Sequence, residues 1–298
     1  MPETWRRTGP DRLAPDAAVA RPGEMLGDLA AGAGPAIAWT TITSPALVLG
    51  RAAHDPPIDL DLAGREGIAI LRRGSGGGAV LWDTGLLALD VALPSEHRLA
   101  DRDVVRAYRW LGEALGAAMA EIGAPGVRVV SPDLARADRV DAAATAAACF
   151  GSLSPYEVVA DGRKLVGLSQ VRRRGGALLQ AGIPLTFDAG SLSDLLRLDP
   201  VAAGALSERT VGLRRLVPSA DEALVIATVD RHVAGAAGAH LAPGAPDPIP
   251  RGGRVARASS DSRTTVANRV GAVSFSAGPA AAPRGTAPVG GGRGRPGG

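Results

Sequence analysis

Short apolar runs alternate with segments of helical periodicity along most of the chain. In 85–93, GLLALDVAL, the side chains of Leu87, Leu89, Val91 and Leu93 alternate with their neighbours, which predicts a strand with one face in the core. Other apolar runs predict strands at 36–39, 46–50, 67–71, 127–130 and 177–185.

The strongest helical pattern follows the alternating strand. One stripe holds Val104, Val105, Tyr108, Leu111, Leu115, Ala118, Met119 and Ile122. Asp101 is expected to cap this helix and Gly123 to end it. Shorter helices are predicted at 191–198 and 207–216. Another is predicted to start at Ser219, where Glu222 would complete a capping box.

The segment 156–170, YEVVADGRKLVGLSQ, predicts a β-hairpin. Asp161 and Gly162 tolerate the positive φ angles that a two-residue turn requires. Together these elements predict an α+β (α/β) fold. We divide the chain into an N-terminal, partly helical segment (1–35), a catalytic domain (36–243) and a tail (244–298). The tail is rich in Gly, Pro, Ala, Ser and Arg, and we predict that it is disordered.

Charge and composition narrow the class of protein. The 298 residues carry a net charge of +3, but the tail holds eight Arg and two Asp, or +6, so the body carries −3. A nucleic-acid surface on the body is therefore not expected. No apolar run is long enough to predict a membrane span, and the N-terminus does not resemble a secretory signal. The single cysteine fits a cytoplasmic protein.

A glycine-rich loop follows the predicted strand at 67–71. In LRRGSGGGAV (71–80), glycine fills four of the five positions from Gly74 to Gly78, and Arg72 and Arg73 precede them. Such a loop lets a ligand approach the main chain. It is no Walker A motif, since no Gly-Lys-Ser/Thr follows. A weak dinucleotide-binding match fails because a strand follows the loop instead of a helix. A tight turn without a ligand is the simpler alternative.

Two residues offer reactive chemistry. Lys164 is the only lysine, whereas the chain has 32 arginines, so a specific role for its ammonium is more probable than the usual extension to solvent. Cys149 is either a small buried apolar residue or a nucleophile activated by a nearby cation, for which Lys164 is the candidate. The four histidines show no ligand spacing, so no metal site is predicted.

The segments RRGSGGGAV and ACFGSLSPYEVVADGRKLVGLSQVRRRGGALLQAGIPL resemble the lipoate–protein ligase and octanoyltransferase family of the biotin/lipoate protein ligase superfamily. The resemblance covers roughly Ala36 to Leu216. It implies a mixed β-sheet flanked by helices and the transfer of a lipoyl or octanoyl group to a lysine of a carrier domain.

The resemblance also implies roles for individual residues. Lys164 would contact the acyl carbonyl or an adenylate phosphate, and Cys149 occupies the place of the nucleophile in cysteine-dependent members. Acyl or acyl-adenylate binding is implied for Arg72, Arg73, Ser75, Gly76, Gly77, Gly78, Ala79, Gly167, Ser169 and Gln170. Arg172 and Gln180 match nearby family positions. Trp82 stands where many members have histidine, and leucine at 86 or 87 replaces an asparagine.

Three functions follow from the resemblance. The first is octanoyl or lipoyl transfer through a Cys149 thioester, with a lipoyl domain (glycine cleavage H protein or a 2-oxo acid dehydrogenase E2) as acceptor and an acyl carrier protein as possible donor. The second is ATP-dependent lipoate ligation through lipoyl-AMP, which alone would use ATP and Mg²⁺. The third is a non-catalytic acyl- or biotin-binding module. For the enzymatic functions, we expect Lys164→Met to keep the fold and abolish transfer.

Overall fold

An eight-stranded sheet lies at the centre of the computed structural model, which describes residues 2–51, 53 and 56–244. Residues 245–298 of the predicted tail lie outside this range. The strands are β1 (Glu3–Leu13), β2 (Ala36–Ile42), β3 (Ala46–Leu49), β4 (Ala69–Arg72), β5 (Ala79–Trp82), β6 (Leu86–Pro94), β7 (Arg128–Val129), β8 (Val158–Ala160), β9 (Arg163–Arg173), β10 (Gly176–Pro184) and β11 (Ala239–Pro243). The α-helices are α1 (Pro15–Ala30), α2 (Leu60–Arg65), α3 (Arg109–Ile122), α4 (Pro132–Asp141), α5 (Ala189–Leu195), α6 (Pro200–Arg209), α7 (Leu213–Leu216) and α8 (Glu222–Ala237).

The strand order of the large sheet is β11-β1-β2-β6-β10-β9-β8-β7. β1 pairs in parallel with both β11 and β2, whereas the other neighbours are antiparallel. A second sheet, in the order β4-β3-β5, carries the glycine loop between β4 and β5. The mixed sheet expected from the resemblance is therefore confirmed. Residues 1–35 supply β1 and α1, and β1 lies inside the large sheet.

Helices cover both faces of the large sheet. Leu111 and Leu115 of α3 and Val229 of α8 belong to the main core on one face. On the other face, Met25 and Leu26 of α1 pack against strand residues such as Leu178. No helix among the residues described has the length and hydropathy needed to cross a membrane.

The alternating strand β6 is buried on both faces, so the expectation of a half-buried strand was wrong. Leu87, Leu89, Val91 and Leu93 pack in the main core as expected. The residues between them are also covered: Ala92 packs with α1, and the carboxylate residue Asp90 is only 4% exposed. The alternating pattern correctly identified the face of β6 in the main core, but the opposite face is also covered, by helix α1, which is distant in sequence.

Several predicted helix starts were also displaced. α3 starts at Arg109 after a short 3₁₀ turn (Arg106–Tyr108), and Val104 and Val105 remain exposed. Asp101 does not cap it, and Asp103 accepts hydrogen bonds from the preceding turn instead. Gly123 ends the helix with a φ of 101°, as predicted.

The later helices differ in a similar way. The predicted helix 207–216 is split between α6 and α7, because Thr210 bridges to Lys164 and the Val211 N–H donates to the Lys164 carbonyl. α8 is capped by Asp221, whose side chain accepts from Leu224 N–H, and not by Ser219. The predicted hairpin turn is confirmed, with φ of 50° at Asp161 and 75° at Gly162.

Candidate active site

The glycine loop is tied to the segment that carries Cys149. The Ala79 N–H donates to the Ala147 carbonyl across 2.8 Å, and Ala79 forms a β-bridge with Ala148. A Cβ at Gly78 would lie 2.9 Å from the Ala147 carbonyl carbon, a distance that real Cβ atoms do not show. Glycine is therefore required at 78 for the two segments to approach this closely.

Cys149 starts a 3₁₀ turn (Cys149–Gly151) and is partly exposed. Arg73 Nη2 donates to Cys149 Sγ across 3.3 Å and to the Gly76 carbonyl across 2.9 Å. Gly77 has a φ of 96°, and a Cβ there would lie 3.1 Å from Sγ. The loop backbone and the Arg73 guanidinium thus surround the sulfur on one side.

The cation beside the sulfur is Arg73 and not Lys164, which corrects the expectation from the sequence. Lys164 Nζ donates to the carbonyls of Cys149 and Ser152, at 2.9 Å each, and is 2.7 Å from Glu157 Oε2. An ammonium has three N–H groups, and these three partners occupy them. Lys164 is 1% exposed, so it does not extend to solvent. Its charge holds the backbone of the Cys149 turn.

Glu157 completes this buried ion pair. Its carboxylate also accepts from the N–H groups of Ser154 (2.7 Å) and Leu168 (3.1 Å). Burial raises the pKa of Glu157 above its ordinary value, and the Lys164 ammonium opposes the rise. Glu157 therefore joins the Lys164 ammonium to the Leu168 backbone of the same strand and to Ser154 in the loop after the Cys149 turn.

Two adjoining cavities lie beside Cys149, and the inner one extends to Ala18 of α1. The outer cavity, about 40 Å³, is lined by Cys149, Phe150, Val80 and Gly167. The inner cavity, about 50 Å³, is lined by Thr40, Asp90 and Gln180. They share the wall residues Arg73, Trp82, Leu86, Ser169 and Gly182. A surface groove of about 740 Å³ lies along β1, β11 and α8 and contains none of the predicted site residues.

Polar side chains gather at the inner cavity. Ser169 Oγ donates to Ser75 Oγ across 3.2 Å, which links β9 to the buried serine of the glycine loop. Gln180 Nε2 donates to Asp90 Oδ1 across 2.8 Å. Burial raises the pKa of Asp90 to about 6, although the Gln180 amide and the Arg21 charge oppose the rise.

Arg73 also has an atom available to a ligand. Its Nε is buried and has no hydrogen-bond partner within the part of the chain that the structure describes. Buried donors are normally satisfied, so an unpartnered one beside a cavity indicates a missing acceptor. Since Arg73 lines both cavities, a ligand carbonyl is a suitable acceptor.

Of the predicted binding residues, Arg73, Gly167 and Ser169 line the cavities. Ser75, Gly76, Gly77, Gly78 and Ala79 form the adjoining glycine loop, whereas Arg72 and Gln170 make their contacts elsewhere. Arg72 is exposed and donates to the Ala53 carbonyl across 3.0 Å. Gln170 donates to the Val104 carbonyl across 2.6 Å, on the α3 side of the sheet. Successive strand residues point to opposite faces, so Ser169 reaches the cavity and Gln170 does not.

Asp90, Glu157 and Phe150 were not predicted as site residues. Asp90 interrupts the apolar run of β6 and Glu157 directly precedes that of β8, and a carboxylate in such a position is a signal of a buried polar site. The Phe150 ring lies beside both Gly167 and the Lys164 side chain, with Nζ 5.1 Å from its ring centre. Among the described residues, no group of three or more His, Cys, Asp or Glu could hold a metal ion.

Comparisons with known proteins agree on one family. The family model described as the lipoyl protein ligase A/B catalytic domain matches residues 15–231. An octanoyltransferase LipM of Moorella thermoacetica is 32% identical over 55% of this chain and 58% of its own length. An octanoyltransferase LipM of Symbiobacterium thermophilum is 30% identical over 66% of this chain and 68% of its own length. The chain therefore spans about three fifths of the Moorella protein.

Solved structures show the same fold. A lipoate-protein ligase A bound with ATP superposes with a TM-score of 0.62 and 19% identity, covering 82% of this chain and 88% of that one. A bipartite lipoate protein ligase of Thermoplasma acidophilum, solved in a study of an archaeal lipoylation system with its E2 lipoyl domain, gives a TM-score of 0.62 at 18% identity. It covers 82% of this chain and 87% of that one.

Proposed function

Because the chain belongs to the lipoyl protein ligase A/B catalytic domain family, we propose that it transfers an octanoyl or lipoyl group through a thioester on Cys149. The observation that carries the proposal is the position of Cys149 Sγ. The sulfur contacts the Arg73 guanidinium, and Cys149 lines the outer of the two adjoining cavities. Both relatives named octanoyltransferase support an acyl group as the cargo.

The first chemical step forms the thioester. The Cys149 thiol loses its proton and the thiolate attacks the acyl carbonyl of the donor. The carbonyl carbon's bond to the donor sulfur or nitrogen breaks, and the donor leaves as a thiol or amine that takes up the proton released by Cys149. The hydrogen bond from Arg73 Nη2 stabilises negative charge on the sulfur. The unpartnered Arg73 Nε and the backbone of Gly77 lie where they can stabilise the oxyanion.

The second step transfers the group to the acceptor. The uncharged amine of an acceptor lysine attacks the thioester, the amide forms, and Cys149 leaves as a thiolate that recovers the proton released by the amine. A lipoyl domain, of a glycine cleavage H protein or of an E2 subunit, is the proposed acceptor, and an acyl carrier protein is a proposed donor. The Thermoplasma relative supports the choice of acceptor, since its system includes an E2 lipoyl domain.

Lys164 contributes by holding the nucleophile in place. Its hydrogen bonds to the carbonyls of Cys149 and Ser152 fix both ends of the turn. The contact with the acyl carbonyl that the resemblance implies requires one of these hydrogen bonds to exchange. In this arrangement the charge next to the reacting atoms is that of Arg73.

Two neighbouring arginines provide the test. Protein is mixed with an octanoyl thioester donor and a lipoyl-domain acceptor, with and without ATP, and intact masses are recorded. We expect a hydroxylamine-labile adduct on Cys149 that passes to the acceptor without ATP. Arg73→Met should slow adduct formation about 100-fold, the effect of losing one donor at an oxyanion. Arg72→Met, the matched control, should react normally.

Other outcomes would assign a different function. Transfer that requires ATP and free lipoate, and that survives Cys149→Ser, would identify a ligase using lipoyl-AMP. A bound acyl group that never reaches an acceptor would favour the binding module. Equal losses in the Arg72 and Arg73 variants would contradict the assigned role of Arg73.

A further inference from the structure

The Cys149 turn has a second cationic partner besides Lys164. Arg209 Nε donates to the Gly151 carbonyl, two residues after Cys149, across 3.0 Å. The Thr145 hydroxyl donates to the same carbonyl across 2.6 Å, so both lone pairs of this oxygen are used. Lys164 holds the carbonyls on either side of Gly151, at positions 149 and 152. The two cations therefore hold different atoms of one short turn.

Arg209 is also joined to Asp138 of α4. Its Nη2 is ion-paired with Asp138 Oδ1, and the other oxygen of this carboxylate accepts from the Leu153 N–H across 2.7 Å. The Asp138 side chain is 9% exposed and that of Arg209 is 26% exposed, so the pair is largely shielded from water. A guanidinium presents its N–H groups in a fixed fork, which lets one arginine hold a carbonyl and a carboxylate together. Arg209 thus joins α4 and α6 to the end of the Cys149 turn.

The backbone next to Arg209 is anchored to the strand that carries Lys164. Arg209 is the last residue of α6, and the next residue, Thr210, forms a β-bridge with Lys164. The Val211 N–H then donates to the Lys164 carbonyl across 3.1 Å. Because of this anchor, the Arg209 side chain starts from a fixed point beside β9.

We propose that Arg209, paired with Asp138, is a positioning residue for the reaction of Cys149. The proposal rests on the acyl-transfer function proposed above. Neither residue of the pair lines the two cavities beside Cys149, so the pair acts through the turn and not on the acyl group. Arg209 fixes the Gly151 end of the turn, which keeps the sulfur in place against Arg73. Its loss should lower the rate of the chemical step and leave the affinity for the donor unchanged.

The experiment compares two arginines that make the same kinds of contact. Arg7 of β1 also pairs with an aspartate, Asp230 of α8, and also donates to a backbone carbonyl, that of Gly9. Its side chain is 23% exposed, close to the value for Arg209, and it lines neither cavity. Arg209→Met and Arg7→Met should therefore lower the midpoint of urea denaturation to a similar extent.

The rate of thioester formation separates positioning from stability. Protein is mixed with an octanoyl thioester at several concentrations, and adducts are followed by intact mass. A displacement of about 1 Å at a reacting group can cost about 100-fold in rate, but the hydrogen bonds of Lys164 remain, so we expect Arg209→Met to lower the maximum rate about tenfold. The half-saturating donor concentration should not change, and Arg7→Met should react normally. Arg209→Lys, which keeps a cation for Asp138 but not the planar fork, should recover stability more fully than rate.

A second readout needs no transfer. Backbone amide exchange of the segment 149–153, measured by mass spectrometry, should be severalfold faster in Arg209→Met and unchanged in Arg7→Met. Equal slowing of the reaction in both methionine variants would overturn the proposal, as would a normal maximum rate in Arg209→Met or unchanged exchange in its turn. If no adduct forms even on the wild-type protein, the acyl-transfer function fails, whereas the exchange rates still accept or reject the role of Arg209 in fixing the turn.

Discussion

Glu157 and Asp90 are two buried carboxylates with opposite surroundings. Glu157 is 1% exposed and is held by the Lys164 ammonium and two backbone N–H groups. Asp90 is 4% exposed, receives a hydrogen bond from the Gln180 amide, and lines a cavity. Burial raises the pKa of both.

The two carboxylates therefore differ in what they contact: Glu157 holds Lys164 and nearby backbone, whereas Asp90 faces a cavity. The charges of Glu157 and Lys164 contact each other and the Cys149 turn, so in the proposed mechanism this pair positions Cys149 without contacting the substrate. Asp90 instead lines a cavity, and among the residues described no cation offsets the free-energy cost of burying its carboxylate as Lys164 does for Glu157. A buried ion pair stabilises little in itself, but breaking it leaves one charge uncompensated.

Breaking the ion pair should give the largest effect on stability. Lys164→Met leaves the buried Glu157 without its cation, and we expect a loss of about 3–5 kcal/mol in the free energy of unfolding. Urea denaturation measures this loss. The structure therefore revises the expectation that this variant keeps the fold intact.

A double variant isolates the cause of that loss. Glu157→Gln with Lys164→Met removes both charges and keeps an acceptor for the Leu168 N–H. It should recover most of the lost stability but remain slow in forming the thioester, because the carbonyls of the Cys149 turn have no ammonium. A double variant no more stable than the single one would show that the two charges are not coupled.

Neutralising Asp90 should instead increase the free energy of unfolding. Its pKa rises from an ordinary 3.8 to about 6 on folding, so the folded protein binds this proton more tightly than the unfolded chain. The free-energy cost of ionising Asp90 in the folded protein is absent below pH 3.8, grows as the pH rises towards 6, and is complete above pH 6. Asp90→Asn should therefore stabilise the protein by about 3 kcal/mol at pH 7.5.

The gain in stability from Asp90→Asn should disappear as the pH falls towards 4. Urea denaturation at pH 7.5 and at pH 4 would show this. Asp133→Asn is the control, since the Asp133 side chain is 90% exposed and its ion pair should contribute less than about 1 kcal/mol. If Asp90→Asn is neutral or destabilising at pH 7.5, Asp90 is better compensated than its surroundings indicate, and the contrast with Glu157 is lost.

Local patterns predicted the hairpin at Asp161–Gly162, the glycine loop and most strands, because each depends on residues close in sequence. The contact between Arg73 and Cys149 joins positions 76 residues apart and depends on the Ala79–Ala147 backbone pairing. No local sequence pattern predicts that contact. The cation beside Cys149 was therefore assigned to Lys164, the nearer candidate in sequence. Asp90 was treated as the polar member of an alternating strand because the cover provided by α1 is a tertiary feature.

The smallest expected change in stability comes from replacing a glycine of the glycine loop with alanine. Gly77 and Gly123 have similar φ angles, 96° and 101°, so alanine at either should cost about 1–2 kcal/mol in backbone strain. Only at Gly77 would the new Cβ approach Arg73 Nη2 (2.8 Å) and Cys149 Sγ (3.1 Å), whereas the space around Gly123 is open. Gly77→Ala should therefore slow thioester formation at least about tenfold, and Gly123→Ala should not.

Both variants leave Glu157, Lys164 and Asp90 unchanged, so the assay separates the loop from the buried charges. Thioester formation is followed by intact mass at equal protein concentration, and stability by urea denaturation. If Gly77→Ala reacts normally, the contact between Cys149 and the glycine loop is dispensable. If it is slow while its stability equals that of Gly123→Ala, the reaction of the sulfur depends on the Arg73 loop beside it.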